Sequence, residues 1–132
     1  MSTTGAKTTI LLLDTGDRTF EIELGENNAV RSLIENLPQK ISMSRWGDEF
    51  YGTLKAKIEY SGDPLRDVFE IGEVALWPSG NAFCIFFGPT PASVKDEPRA
   101  ASPCVALGKI KGDPTVFRKY GLSLKGVTLS AG

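Results

Sequence analysis

The sequence predicts a mainly β protein, a small closed barrel of about eight strands with two short covering helices. Three observations carry this reading. Two apolar, β-rich runs, Glu73–Trp77 and Ala82–Phe87, flank a short turn, and such runs need cross-strand partners and a core to cover them. Arg18–Leu24 alternates, with Phe20, Ile22 and Leu24 on one face and Thr19, Glu21 and Glu23 on the other, the pattern of a half-buried strand. Gly 14 and Pro 8 among 132 residues supply turns for many short strands. Closing the sheet removes its exposed edges, which makes a barrel the economical arrangement. A chain of this length buries a full core as one domain, and residues 1–132 show no repeat, low-complexity tract or domain boundary.

Taken in order, Lys7–Leu13 reads as a strand, Asp14–Asp17 as a turn by its Asp and Gly content, and Arg18–Leu24 as the second arm of a hairpin. Asn27 or Asn28 suits a helix N-cap, and Val30, Leu33, Ile34 and Leu37 follow at the spacing of one apolar helical face. Pro38 stops that helix, which is expected to cover an open barrel end or a sheet face. Ile41–Ser44 and Phe50–Tyr60 look extended, separated by Arg45–Glu49, and Ser61–Pro64 is a turn. Val68–Ile71 and Glu73–Trp77 read as strands broken at Gly72, and the unbroken apolar run Ala82–Phe87 as a strand buried on both faces. Alternation puts Phe83, Ile85 and Phe87 on one side and Phe86 on the other. Gly88–Pro103, with four prolines and four charges, is the one long loop, either functional or a tolerated insertion. Cys104–Lys111 is a strand, Asp113-Pro114 opens a short helix with Asp as N-cap and Pro at N1, and Lys125–Ser130 closes the chain as a strand.

Composition excludes more than it suggests. Hydrophobic residues make up 41% and charged residues 23%, and 15 basic against 16 acidic side chains leave a net charge of -1. That balance offers no general attraction to nucleic acid or to an anionic membrane. The chain has no histidine, so Ser-His-Asp and Cys-His catalysis, His-ligated metals and His-based pH switching are all excluded. Asp48 with Glu49, and Asp63 with Asp67, are carboxylate pairs without metal-ligand spacing and are read as solvated surface. No phosphate-binding Gly loop, zinc motif or nucleophile elbow occurs, so neither a cofactor nor a metal is expected. Cys84 and Cys104 sit in apolar strand-like runs and read as buried free thiols, with a disulfide open to them if their strands are neighbours. Met1–Thr9 lacks the apolar run of a signal peptide and Ile10–Leu13 is too short to span a bilayer, so the expected location is cytoplasmic.

The order of elements resembles that of the cyclophilins, the peptidyl-prolyl isomerase fold. Arg18-Thr19-Phe20-Glu21-Ile22-Glu23-Leu24 followed by the Asn28–Leu37 helix is similar to the cyclophilin start, a strand of F-x-I-E-L type leading into a covering helix. Val105-Ala106-Leu107-Gly108-Lys109-Ile110 is similar to its V-V-F-G-K-V strand, and Val127-Thr128-Leu129 to its final I-T-I strand. Gly72–Gly88 with Leu107–Ile110 looks more closely like a compact, chiefly prokaryotic cyclophilin-like family of unknown function.

The resemblance implies a set of site residues. Cyclophilins carry R-I-I-P-G-F-M-x-Q; here Arg45 precedes Phe50 and Tyr51, with Thr53 in the place of the Gln. Their Q-x-F pair matches Asn81 and Phe83. The implied chemistry is a greasy slot for a proline ring, from Phe50 and Phe83, beside a fixed donor, Arg45, that stabilises the twisted amide. Arg45 read on its own can equally be a surface residue paired with Asp48 or Glu49, Asn81 can cap a turn, and Trp46 and Trp77 can be core or rim packing. The segment Trp77–Asn81 is shorter than the corresponding cyclophilin loop, Arg99–Cys104 stands where cyclophilins have a pocket Trp and His, and Trp77 can partly fill the slot. The expectation is therefore a barrel that binds a small molecule or short peptide near Arg45, with Phe50, Tyr51, Trp77, Asn81 and Phe83 as ligand contacts and no robust isomerase turnover. An atypical peptidyl-prolyl isomerase and a homo-oligomeric structural module, a homodimer for instance, are the alternatives.

Overall fold

A computed structural model describes residues 9–132. Its strands are β1 (Thr9–Asp14), β2 (Thr19–Leu24), β3 (Gln39–Arg45), β4 (Glu49–Thr53), β5 (Arg66–Val68), β6 (Glu73–Trp77), β7 (Ala82–Phe86), β8 (Arg99–Ile110) and β9 (Ser123–Ala131), with the helix α1 (Asn28–Glu35) and 3-10 segments at Pro78–Gly80 and Pro114–Lys119. The sheet runs β2-β1-β9-β3-β4-β7-β6-β8-β5, and β2 also pairs with β8. That extra pairing closes eight antiparallel strands into a barrel and leaves β5 outside it, on the first half of β8. At the closure Gly108 faces Leu24, and a Cβ there would collide with the Glu23 carbonyl. The expected barrel, hairpin and central β6–β7 pair are all present, and no helix among the described residues is long and apolar enough to cross a membrane. Lys7 and Thr8 of the expected first strand, and most of the segment read as lacking a signal peptide, lie outside the described residues.

Alternation sorts the side chains into two cores. Phe20, Ile22, Phe50, Phe83, Ile85, Phe87, Val105 and Leu107 fill the barrel interior together with Leu33 of α1 and Phe117 of the second 3-10 segment. Phe117 stacks on Phe20 at 4.4 Å, at the start of β2, whereas α1 follows the end of β2, so the two helical pieces stop opposite ends of the barrel. Ala75, Ala82, Cys84, Phe86 and Cys104 point outward and pack beneath Phe69 and Ala100, with Tyr51 and Trp77 against them. β7 is thus buried on both faces.

Asn27 is the N-cap: its side chain accepts a hydrogen bond from the Val30 amide at 2.8 Å. The Asp63 carboxylate accepts from the next two free amides, Asn28 and Ala29, tying the helix start to the Ser61–Pro64 turn. Three expectations need correction. The extended run Phe50–Tyr60 stops at Thr53, because the amides beyond it are met by side chains rather than by a strand: Lys55 by Gln39, Ile58 by Asn81 and Glu59 by Ser32. Val68–Ile71 is not a strand; the paired residues are Arg66–Val68. The loop from Gly88 ends sooner than its prolines suggest, since β8 begins at Arg99. Pro103 is accommodated where the β5–β8 register shifts, a position at which a missing amide is tolerated. The remaining loop is bonded within itself. Glu97 accepts from the Val94 and Lys95 amides, each at 2.8 Å, and from Arg99 Nε at 2.9 Å.

Candidate functional site

On the outer surface of the barrel, Tyr51 lies opposite Cys84 across β4–β7, and Trp77 opposite Ala82 across β6–β7. Two large rings therefore stand beside small neighbours, and small neighbours leave a hollow between them. The Tyr51 and Trp77 rings meet edge to face at 6.3 Å. The β3–β4 turn adds Trp46, and the start of β8 adds Ala100 and Cys104. Together with Glu49 they line a cavity of about 290 Å³.

Trp77 is held from two sides. Its Nε1–H donates to Ser102 Oγ at 2.6 Å, and its ring lies over Gly80, where a Cβ would sit 2.7 Å from a ring carbon. Trp46 is carried by a turn closed by its own amide donating to the Glu49 carbonyl at 2.8 Å.

Glu49 is the unusual member. Two residues from Tyr51 on β4, it shares that outward face, yet it is 5% exposed, not the solvated residue that the sequence suggests. Its Oε1 is buried without a hydrogen-bond partner. Burial pushes its carboxyl up to about 7, and the neighbouring Cys84 thiol offsets this in part. The Cys84 thiol is itself raised well above the ordinary thiol range, first by the neighbouring Cys104 thiol, then by burial and by the Glu49 charge. A thiol in that setting is not a thiolate at neutral pH, so it is no nucleophile. Both cysteines are free and buried, and β6 stands between their strands.

The six residues named from the sequence fall in four places. Tyr51 and Trp77 line the cavity. Phe50 and Phe83 have no exposed surface and belong to the barrel interior, with Phe50 5.7 Å from the Phe87 ring. Asn81 adopts a left-handed conformation (φ 47°) at the end of the Pro78–Gly80 segment. Its side chain accepts from the Ile58 amide at 3.0 Å and donates to the Leu54 and Ala56 carbonyls, the turn-capping role its chemistry allows. Arg45 Nε donates to the Gly47 carbonyl and Nη1 to the Tyr120 carbonyl, both at 2.8 Å, while Nη2 pairs with Asp48 at 2.9 Å. Its fork fastens the β3–β4 turn to the chain after the second 3-10 segment. Asp48, read as solvated, is held by Arg45 and by Arg118 at 3.3 Å.

The structure adds Trp46, Glu49 and Cys104 to the site. A partial signal for them was present: Glu49 and Tyr51 share a strand face, and the outward row of β6–β7 is small at Ala75, Ala82 and Cys84. The covering of Glu49 from the start of β8 depends on segments far apart in sequence.

A closed eight-stranded barrel, stopped at both ends by helical pieces and hollowed on its outer surface, defines a compact cyclophilin-like protein. The sequence profile of the cyclophilin-like family matches residues 9–127, and the chain belongs to that family. A hypothetical protein from Archaeoglobus fulgidus, solved in solution, is similar over 99% of this chain and 100% of its own, with a TM-score of 0.80 and 29% identity. No curated protein matches the sequence.

Proposed function

We propose that this protein binds a small organic molecule, or a side chain of a short extended peptide, in the outer cavity, without peptidyl-prolyl isomerase turnover. The observation that carries the reading is the cavity itself, about 290 Å³ walled by Trp46, Tyr51 and Trp77 around the buried Glu49. A concave, largely apolar site with one polar group is the usual form of a small-ligand pocket. Isomerisation requires a free donor beside a proline slot. The Arg45 guanidinium is engaged by backbone carbonyls and Asp48, and Phe50 and Phe83 are packed inside the barrel.

Two measurements test this reading. A thermal-shift screen against a metabolite library is expected to find compounds that raise Tm in the native chain and not in Trp77→Ala. A protease-coupled proline isomerisation assay is expected to show no rate above the uncatalysed one. Turnover abolished by Arg45→Ala, in a variant that remains folded, would overturn the binding reading in favour of an isomerase.

A further inference from the structure

We propose that the ligand carries a positive charge: the cavity takes an organic cation of the amine or quaternary-ammonium class, with its charge against Glu49 and its carbon shell against Trp46, Tyr51 and Trp77. The inference rests on the reading of the cavity as a ligand site and goes further by assigning the ligand's chemistry.

Glu49 is almost wholly buried, and no described residue donates to one of its carboxyl oxygens. An ionised carboxylate is expensive to keep in that state unless a cation or donors compensate. Among the described residues the fold supplies no such cation. No described lysine or arginine lines the cavity, and the arginines beside its lining residues are engaged elsewhere, Arg45 by Asp48, Arg66 by Glu73 and Arg99 by Asp67 and Glu97. The titratable groups around Glu49 are Tyr51 on its own strand, the Cys84 thiol of β7 and Cys104 of β8. None of them is a cation. A ligand cation would bring the missing charge and, for an amine, the missing donor.

The walls select the kind of cation. Aromatic rings attract a positive charge through their quadrupole and favour a weakly hydrated organic ion. A hydrated metal ion needs several hard ligands, and no group of three or more His, Cys, Asp or Glu suited to a metal occurs among the described residues. The contrary occupant is a neutral molecule that accepts a hydrogen bond from protonated Glu49.

Choline and its uncharged isostere 3,3-dimethylbutan-1-ol separate these cases, with binding followed by tryptophan fluorescence and calorimetry on the intact chain. Choline is expected to bind about tenfold or more tightly than the isostere at pH 8. Binding should release a proton on the acid side of neutrality. With the Glu49 carboxyl near 7, choline affinity should fall about thirtyfold from pH 8 to pH 5.5 while the isostere's does not fall. Glu49→Gln should remove the preference for choline. Equal, pH-independent binding of both compounds overturns the cation and leaves the cavity as a ligand site. Absence of binding by both, with stabilisation by other members of a metabolite library, does the same. Absence of binding by both, with no stabilisation by any library member, overturns the ligand site as well.

Discussion

Replacing Glu49 by Gln should stabilise the protein, and by an amount that depends on pH. The side chain keeps its shape and loses its charge. In the folded chain the carboxyl titrates near 7, against an ordinary value of 4.5. A carboxyl raised in this way binds its proton more tightly folded than unfolded, so its contribution is most favourable below pH 4.5. That contribution declines as pH rises from 4.5 to 7 and is fully lost above. The interval of about 2.5 pH units corresponds to about 3 kcal/mol at 1.36 kcal/mol per unit. In a 132-residue chain this amounts to a Tm difference of about 10 °C. Urea titrations of both proteins at intervals from pH 4 to 8.5 measure it. The stability difference should be small at pH 4, grow through the neutral range and level off above pH 8. A difference that is constant with pH, or that favours the native chain at pH 8, would refute the argument that Glu49 is buried without a charge partner.

Other changes have defined outcomes. Arg45→Ala removes the donor to the Gly47 and Tyr120 carbonyls and leaves Asp48 with Arg118 alone; it should destabilise by about 1–3 kcal/mol, read by urea unfolding. Gly80→Ala would place a methyl against the Trp77 ring; a shift in tryptophan emission with loss of library binding is expected, and Tm should change by much less than for Arg45→Ala. Glu97, held near 2 by the Val94 and Lys95 amides and then by Arg99, stabilises its loop above pH 4.5 and loses that effect as pH falls toward 2. Glu97→Gln should therefore quicken proteolytic cleavage within Gly88–Pro98 at pH 7, and a cleavage rate equal to that of the native chain would count against the loop's internal bonding.

Much of the fold was legible because its determinants are local and periodic. The alternation of Arg18–Leu24 and of Ala82–Phe87 places each side chain inside or outside the barrel whatever the partner strand is. The Asn27 cap and the Pro114 start are likewise matters of a few neighbouring atoms. Segments whose amides find distant side chains were misread. Leu54–Glu59 has extended-looking sequence, but its hydrogen bonds come from Gln39, Asn81 and Ser32, and the last of these belongs to α1.

The site divides along the same line. Tyr51 and Trp77 belong to it because strand periodicity turns them outward beside small residues. Phe50 and Phe83, named with them by resemblance, face the interior by the same periodicity. The sequence by itself determined a mainly β barrel and the inward and outward faces of its central hairpin. Tertiary structure alone decided that Glu49 is buried and Arg45 is engaged. Burial and charge pairing are set by what other segments bring: the β3–β4 turn and the start of β8 around Glu49, and the carbonyls of residues 118 and 120 around Arg45. The β3–β4 turn adjoins Glu49, but the other segments lie tens of residues away, and the barrel's closure brings them together.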